Sequence, residues 1–312
     1  MSDQHTSTVT LARSIPELHA TLDKAPGERS VVMTMGALHQ GHADLVRAAA
    51  DKAGTEGTVV VTIFVNPLQF APNEDLDAYP RDLEGDVDLL TQTLTTESGE
   101  LRVGALVVFA PTPEVIYPHG EPQITVNPGP MATVLEGATR PTHFGGVCQV
   151  VLSLMNLIQP TYSFFGRKDA QQLAIVSAMV RDLHVPTTIC PVDIRRDDDG
   201  LALSSRNAYL SDEERTQALA LSQSLTIAEE AARAGQTPSA IRQTALDYLT
   251  QAPGVDVDYV AIVDPDTFIE LSDAALALPQ PEGFQRPEYA LVAVAARVGA
   301  TRLIDNRLMK LA

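Results

Sequence analysis

VVMTMGALHQGHADLVRAAADKAGTEGTVVVTIFV, residues 31–65, carries the pattern that decides the fold. VVMTM (31–35) reads as a short buried strand and HADLVRAAADKA (42–53) as a helix with Leu45, Val46 and Ala49 inward. GTVVVTIFV (57–65) is a near-continuous β-branched run, which suits a strand covered on both faces. Strand, helix and strand in that order form a right-handed unit with parallel strands. The alternation then repeats. ALVVFAP (105–111), YSFFG (162–166) and TTICPVDI (187–194) read as strands, with VCQVVLSLMNLI (147–158) and AQQLAIVSAMVRDL (170–183) as helices. Together they predict an α/β domain over 1–194, built on a doubly wound parallel sheet.

Beyond residue 194 the texture changes. SDEERTQALALSQSLTIAEEAARAG (211–235) opens with Ser211 and, three residues on, Glu214, a capping-box pattern, and it stops at Gly235. SAIRQTALDYLTQA (239–252) is a second helix, followed by the strands VDYVAIVD (257–264), YALVAVAARV (289–298) and TRLID (301–305), with a Pro-rich loop at 279–287. Helices followed by strands predict a smaller C-terminal α+β domain over 195–312. The polar stretch TQTLTTESGELRVG (91–104) is expected to be a surface excursion.

The 312 residues include 22 Lys and Arg against 40 Asp and Glu, a formal charge of −18. A surface that acidic repels nucleic acid and anionic membrane, so neither is an expected partner. It still permits a small anion held by a few oriented donors. Cys148 and Cys190, the two cysteines, are expected to be reduced and partly buried. The N-terminus MSDQHTSTVT lacks a basic and apolar leader, and no apolar run is long enough to span a bilayer, so a cytoplasmic protein is expected.

MGALHQGH (35–42) lies where a strand ends, turns through glycine and starts a helix. Ligands bind at that edge of an open α/β sheet, and helix N-terminal amides favour anions. His39 and His42 suit phosphate oxygens; zinc, or two ordinary histidines, are the competing readings. IFVNPLQF (63–70) ends the next strand with the amides Asn66 and Gln69. In FFGRKDAQQL (164–173), Lys168 follows Gly166 at a helix start, with Asp169 placed to orient it or cap the helix. RRDDDGLALSSRNAYLS (195–211) offers Ser204, Ser205, Arg206 and Asn207 after an acidic run read as a solvated loop. No nucleophile elbow, Walker motif or dinucleotide turn is present. Cations and amides gathered around phosphate fit adenylyl transfer, where positioning and charge stabilisation carry the catalysis.

Taken together, TMGALHQGH, IFVNPLQF, DLDAYPRD, LEGATRPTHFGGV, FFGRKDAQQL, DGLALSSRNAYLS and VAARVGATRLIDN resemble the pantothenate synthetase (pantoate–β-alanine ligase) family, in order from residue 34 to 306. The resemblance implies a Rossmann-like nucleotidyltransferase domain with a HIGH-type signature at His39-Gln40-Gly41-His42, binding ATP and pantoate, and a C-terminal lid. It implies that ATP and pantoate form a pantoyl adenylate, which β-alanine converts to pantothenate and AMP, with magnesium and a homodimer. Carried over by motif, Met35, Gly36, Ala37, Leu38, His39 and His42 would line the ATP site, with His42 as proton donor. Gly166, Arg167, Lys168, Asp169, Arg195, Leu203, Ser204, Ser205 and Arg206 would complete it, with Lys168, Ser204 and Arg206 stabilising the transferring group. Gln69, Gln172, Asn66 and Met35 would bind pantoate or β-alanine, and Asp86 would contact magnesium.

The chain departs from the family pattern at Met33, Arg167, Ala170, Arg195 and Leu203. Arg167 is expected to turn outward to the acidic loop 197–199, leaving Lys168 in place. Another HIGH-type adenylyltransferase and a non-catalytic nucleotide-binding relative are the alternative functions.

Overall fold

The computed structural model describes residues 8–71, 76, 79–273 and 288–311. The Pro-rich loop at 279–287 lies outside them, as do Asp75, Asp77 and Ala78 of DLDAYPRD. The chain divides into two compact units, Met1–Asp193 and Ile194–Ala312.

The first unit contains β1 (Thr8–Ala12), α1 (Ile15–Leu22), β2 (Arg29–Thr34), α2 (Gln40–Ala53), β3 (Thr58–Ile63), α3 (Leu83–Leu94) and β4 (Ala105–Phe109). Two four-residue helices, α4 (Pro113–Ile116) and α5 (Glu136–Thr139), precede α6 (His143–Ile158), β5 (Tyr162–Gly166), α7 (Ala170–Asp182) and β6 (Thr188–Val192). The six strands form one parallel sheet in the order β1-β4-β3-β2-β5-β6. β4 is buried along its whole length and β3 nearly so, which is why their β-branched runs show no alternation. One face is covered by α1, α6 and α7 through Leu18, Phe144, Val151, Met155 and Ile175. The other is covered by α2 and α3 through Val46, Ala49, Leu90 and Leu94.

β1 and α1 have no counterpart in the sequence-based assignment. β1 presents Val9 and Leu11 outward, 39% and 40% exposed, and turns Thr10 and Ala12 inward, so its larger apolar residues lie on the wrong face for a core pattern. The expected excursion at 91–104 is corrected at both ends: residues 91–94 finish α3 with Leu94 buried, and Val103 is buried at 1% exposure. The buried stripe of α3 is one residue wide (Asp86, Leu90, Leu94), too narrow to give a clear helical pattern.

The second unit contains α8 (Asp212–Arg233), α9 (Pro238–Gln251), β7 (Val255–Val263), β8 (Tyr289–Val298) and β9 (Thr301–Lys310). The strands form an antiparallel sheet in that order, and the helices pack on it through Leu221, Leu225, Ile241 and Leu249 against Val260, Val292 and Val294. The capping box of Ser211 and Glu214 is present. No helix among the described residues is long and apolar enough to cross a membrane.

Candidate active site

The order β3-β2-β5 places the topological switch point between β2 and β5. The chain leaves β2 toward β3 on one side and reaches β5 on the other, so the loops at their carboxyl ends diverge and open a crevice. Residues 35–39 and 166–169 form those two ends.

The histidines are built into the start of α2. His39 is the N-cap, and its Nδ1 accepts the Gly41 N–H at 3.1 Å. Three residues on, His42 Nδ1 accepts the His39 N–H at 3.2 Å. This is a capping box made from two imidazoles, with ring centroids 4.1 Å apart. Because both Nδ1 atoms accept, each neutral ring carries its hydrogen on Nε2, and both Nε2 atoms are donors. Burial, helped by the neighbouring His39 and Lys168 and opposed by Asp169, pushes His42 down to about 3. His42 is therefore a neutral hydrogen-bond donor near pH 7. The same interactions bring Lys168 and Asp169, on the turn between β5 and α7, into the field of His42.

The amide cluster at the end of β3 divides into a scaffold and a reaching group. Asn66 is fully buried, and its Nδ2 donates to Gln69 Oε1 at 3.1 Å and to the Gly146 carbonyl at 3.0 Å. Its Oδ1 accepts from the Leu68 N–H at 3.3 Å and the Tyr117 hydroxyl at 3.0 Å. With these partners the Asn66 side chain is fixed in the pocket wall. Among the described residues, Gln69 Nε2 donates to a thioether, Met35 Sδ at 3.1 Å. A thioether is a weak acceptor, which a carboxylate or hydroxyl would replace with gain. The Gln69 carbonyl accepts from Arg140 Nη2 at 3.3 Å and lies 3.1 Å from His143 Nδ1, so two side chains from LEGATRPTHFGGV join the site. Gly146 lets α6 approach: a Cβ there would lie 2.3 Å from the Leu68 carbonyl oxygen.

The two adjacent glutamines of α7 have different surroundings. Gln171 is buried, donating to the Met131 and Val134 carbonyls at 2.8 Å each and accepting from Glu136 N–H at 3.0 Å. Gln172 is half-buried on the same turn. Arg167 forms its ion pair with Asp193 at 3.1 Å, while the acidic-loop carboxylates Asp197 and Asp199 are bound by Arg215 at 2.7 and 2.8 Å. Cys148 is buried, which raises its thiol to about 11, and Cys190 is raised by burial as well; both are free thiols.

Asp86 was assigned to magnesium by the resemblance, and its surroundings do not fit that role. It is 3% exposed, and its two oxygens accept the Ala37 and Leu38 N–H groups at 3.1 and 2.7 Å. Burial raises its pKa, partly offset by those two hydrogen bonds. Among the described residues, no group of three or more His, Cys, Asp or Glu could hold a metal.

In the second unit, the 195–206 loop is tied to its own scaffold. The Leu203 N–H donates to the Arg195 carbonyl at 2.9 Å, and Gly200 turns the chain with a φ of 94°. Arg196 forms a two-pronged pair with the buried Asp305 of β9 at 2.7 and 2.9 Å. Ser204 caps the short turn Ser205–Tyr209 by accepting the Arg206 N–H at 3.3 Å. Ser205 is half-buried and Arg206 exposed.

A parallel sheet whose switch point carries two imidazole donors, a helix N-terminus and a lysine defines an α/β protein with a crevice suited to an anionic ligand. Residues 9–308 match the family model described as pantoate-beta-alanine ligase. The pantothenate synthetase of Streptomyces coelicolor is 45% identical, over 95% of this chain and 94% of its own length. That of Nocardioides is 48% identical, over 91% and 79%. The chain belongs to the pantoate–β-alanine ligase family, whose named members are enzymes. Among solved structures, pantothenate synthetase from Thermus thermophilus superposes with a TM-score of 0.82 at 40% identity, covering 96% of this chain and 98% of that one. The Francisella tularensis pantoate–β-alanine ligase, in complex with β-γ ATP and β-alanine, superposes at 0.72 with 28% identity, covering 96% and 98%.

Proposed function

We propose that the chain joins (R)-pantoate to β-alanine at the expense of ATP, in two steps. A pantoate carboxylate oxygen attacks the α-phosphorus, the bond from that phosphorus to the bridging oxygen breaks, and pyrophosphate leaves. The β-alanine amine then attacks the acyl carbon and loses a proton, and AMP departs with the electron pair of its bond.

The observation that carries this reading is the pair of Nε2–H donors fixed at the switch point, with Gln69 beside the same loop through Met35. His39 and His42 donate to phosphate oxygens as charge builds on them, and Lys168 adds a cation. His42 acts as a neutral donor rather than by releasing a proton. Gln69 and Gln172 bind the acid to be activated, with Arg140 and His143 behind Gln69. Leu203, Ser204, Ser205 and Arg206 take part in ATP binding by the motif they share with the family, and the lid role of the second unit has the same basis. When bound, magnesium would neutralise triphosphate charge; the substrate phosphates would supply its ligands, since the Asp86 carboxylate already accepts the Ala37 and Leu38 amides. A homodimer and a cytoplasmic location complete the reading.

Pantoate-dependent exchange of labelled pyrophosphate into ATP, without β-alanine, tests it. Exchange that requires pantoate, and AMP release once β-alanine is added, is expected. ATP binding with no exchange identifies a non-catalytic relative, and exchange indifferent to pantoate identifies another adenylyltransferase.

A further inference from the structure

Three consecutive amides leave β2, and each is met by a side chain. The Gly36 N–H donates to Thr34 Oγ1 at 3.3 Å, and that hydroxyl donates to the Thr62 carbonyl at 2.7 Å. The next two, Ala37 and Leu38, both donate to Asp86, 49 and 48 residues away along the chain. The turn needs this support. Gly36 has a φ of 86°, which glycine tolerates, but Ala37 follows at 52°, where a Cβ is strained by about 1 kcal/mol or more. His39, the N-cap whose ring opens the histidine pair, comes two residues later.

On α3, Asp86 occupies the first position of the buried stripe it shares with Leu90 and Leu94. An apolar residue would suit that burial and leave two loop amides without an acceptor. The carboxylate is also packed closely: a Cβ on Gly36 would lie 3.0 Å from its Oδ2 and 3.2 Å from Ile63 Cγ2. A cation on these oxygens would face two N–H groups already aimed at them.

We propose that Asp86 is the positioning residue of the histidine loop, holding the left-handed turn at Ala37 so that His39 and His42 present their Nε2 donors to ATP, and that it is not a magnesium ligand. The proposal rests on the ATP-site reading of that loop. It assigns the Ala37 and Leu38 amides to Asp86 and leaves phosphate recognition to the histidines and the start of α2.

Three measurements test it. In the exchange assay, Asp86→Asn lowers kcat/KM for ATP by about tenfold or more, since small misplacement of catalytic groups is costly. The half-saturating magnesium concentration stays within about twofold of wild type. A raised magnesium requirement, with activity restored by excess magnesium, overturns the proposal. Second, adding Ala37→Gly to Asp86→Asn recovers activity severalfold, because glycine adopts the turn without a hold; no recovery counts against a role through Ala37. Third, in the wild-type chain without ATP, the Ala37 and Leu38 amide resonances do not move on addition of millimolar magnesium chloride. A saturable shift of both would place the metal on Asp86. This last measurement needs neither a variant nor turnover, so it separates failure of the Asp86 assignment from failure of the ligase reading.

Discussion

The histidine loop at 35–42 and the serine–arginine loop at 195–206 are both matched to ATP by motif, yet only the second adds ion pairs to its backbone hydrogen bonds. The first contains no charged residue and is fixed by hydrogen bonds to its own amides, from two imidazoles, a threonine and one buried carboxylate. The second is pinned by ion pairs: Arg196 to the buried Asp305, and Arg215 across Asp197 and Asp199. Hydrogen bonds to backbone set positions to fractions of an ångström, whereas the ion pairs anchor a loop to its scaffold. Changes in the first loop should therefore cost catalysis, and changes in the second should cost stability first.

The largest effect expected is from His42→Ala, which removes a phosphate donor and should slow pyrophosphate exchange by about 100-fold or more, with a small change in Tm. An unchanged rate removes His42 from the chemistry. Next, Arg196→Met leaves Asp305, 4% exposed, without its partner. Because the arginine side chain is 23% exposed, a loss of about 2 kcal/mol is expected rather than the full cost of a broken buried pair, read by denaturant unfolding of the second unit. An activity loss with no loss of stability would break the contrast.

A third effect, absent near neutral pH, concerns acid. His42 is near 3 folded against 6.5 as a model value, so between those values the unfolded chain binds more protons. Stability from this group is present above about pH 6.5 and is lost as pH falls toward 3. His42→Asn should flatten the fall in Tm between those limits; an identical fall in both proteins would show that His42 titrates normally. The least effect is expected of Arg215→Ala, under about 1 kcal/mol, because its pairs are a third exposed and salt-screened. Unfolding at low and high salt measures it.

The sheet was legible because β3 and β4 are buried on both faces and their composition says so. β1 and α3 were not, since each buries too little to leave a periodic mark. For the candidate site, the placement of the histidines and Lys168 beyond the carboxyl ends of β2 and β5 was legible, because strand ends and glycine turns mark themselves in the sequence. It was illegible wherever role depends on partners distant in sequence. Asn66 looks like a ligand amide until Gly146 and Tyr117 claim it. Gln171 and Gln172 are the same letter, and only the structure commits one to the Met131, Val134 and Glu136 backbone. The resemblance implies a magnesium contact for Asp86, and the sequence gives no sign that its two oxygens accept the Ala37 and Leu38 amides.

The most direct test of the adenylate at the centre of this account follows oxygen. Pantoate labelled with ¹⁸O in its carboxyl group, turned over with ATP and β-alanine, should deliver one heavy oxygen to each AMP, carried across when the acyl bond breaks. AMP free of label would contradict the account, because the carboxylate would never have been joined to the α-phosphorus.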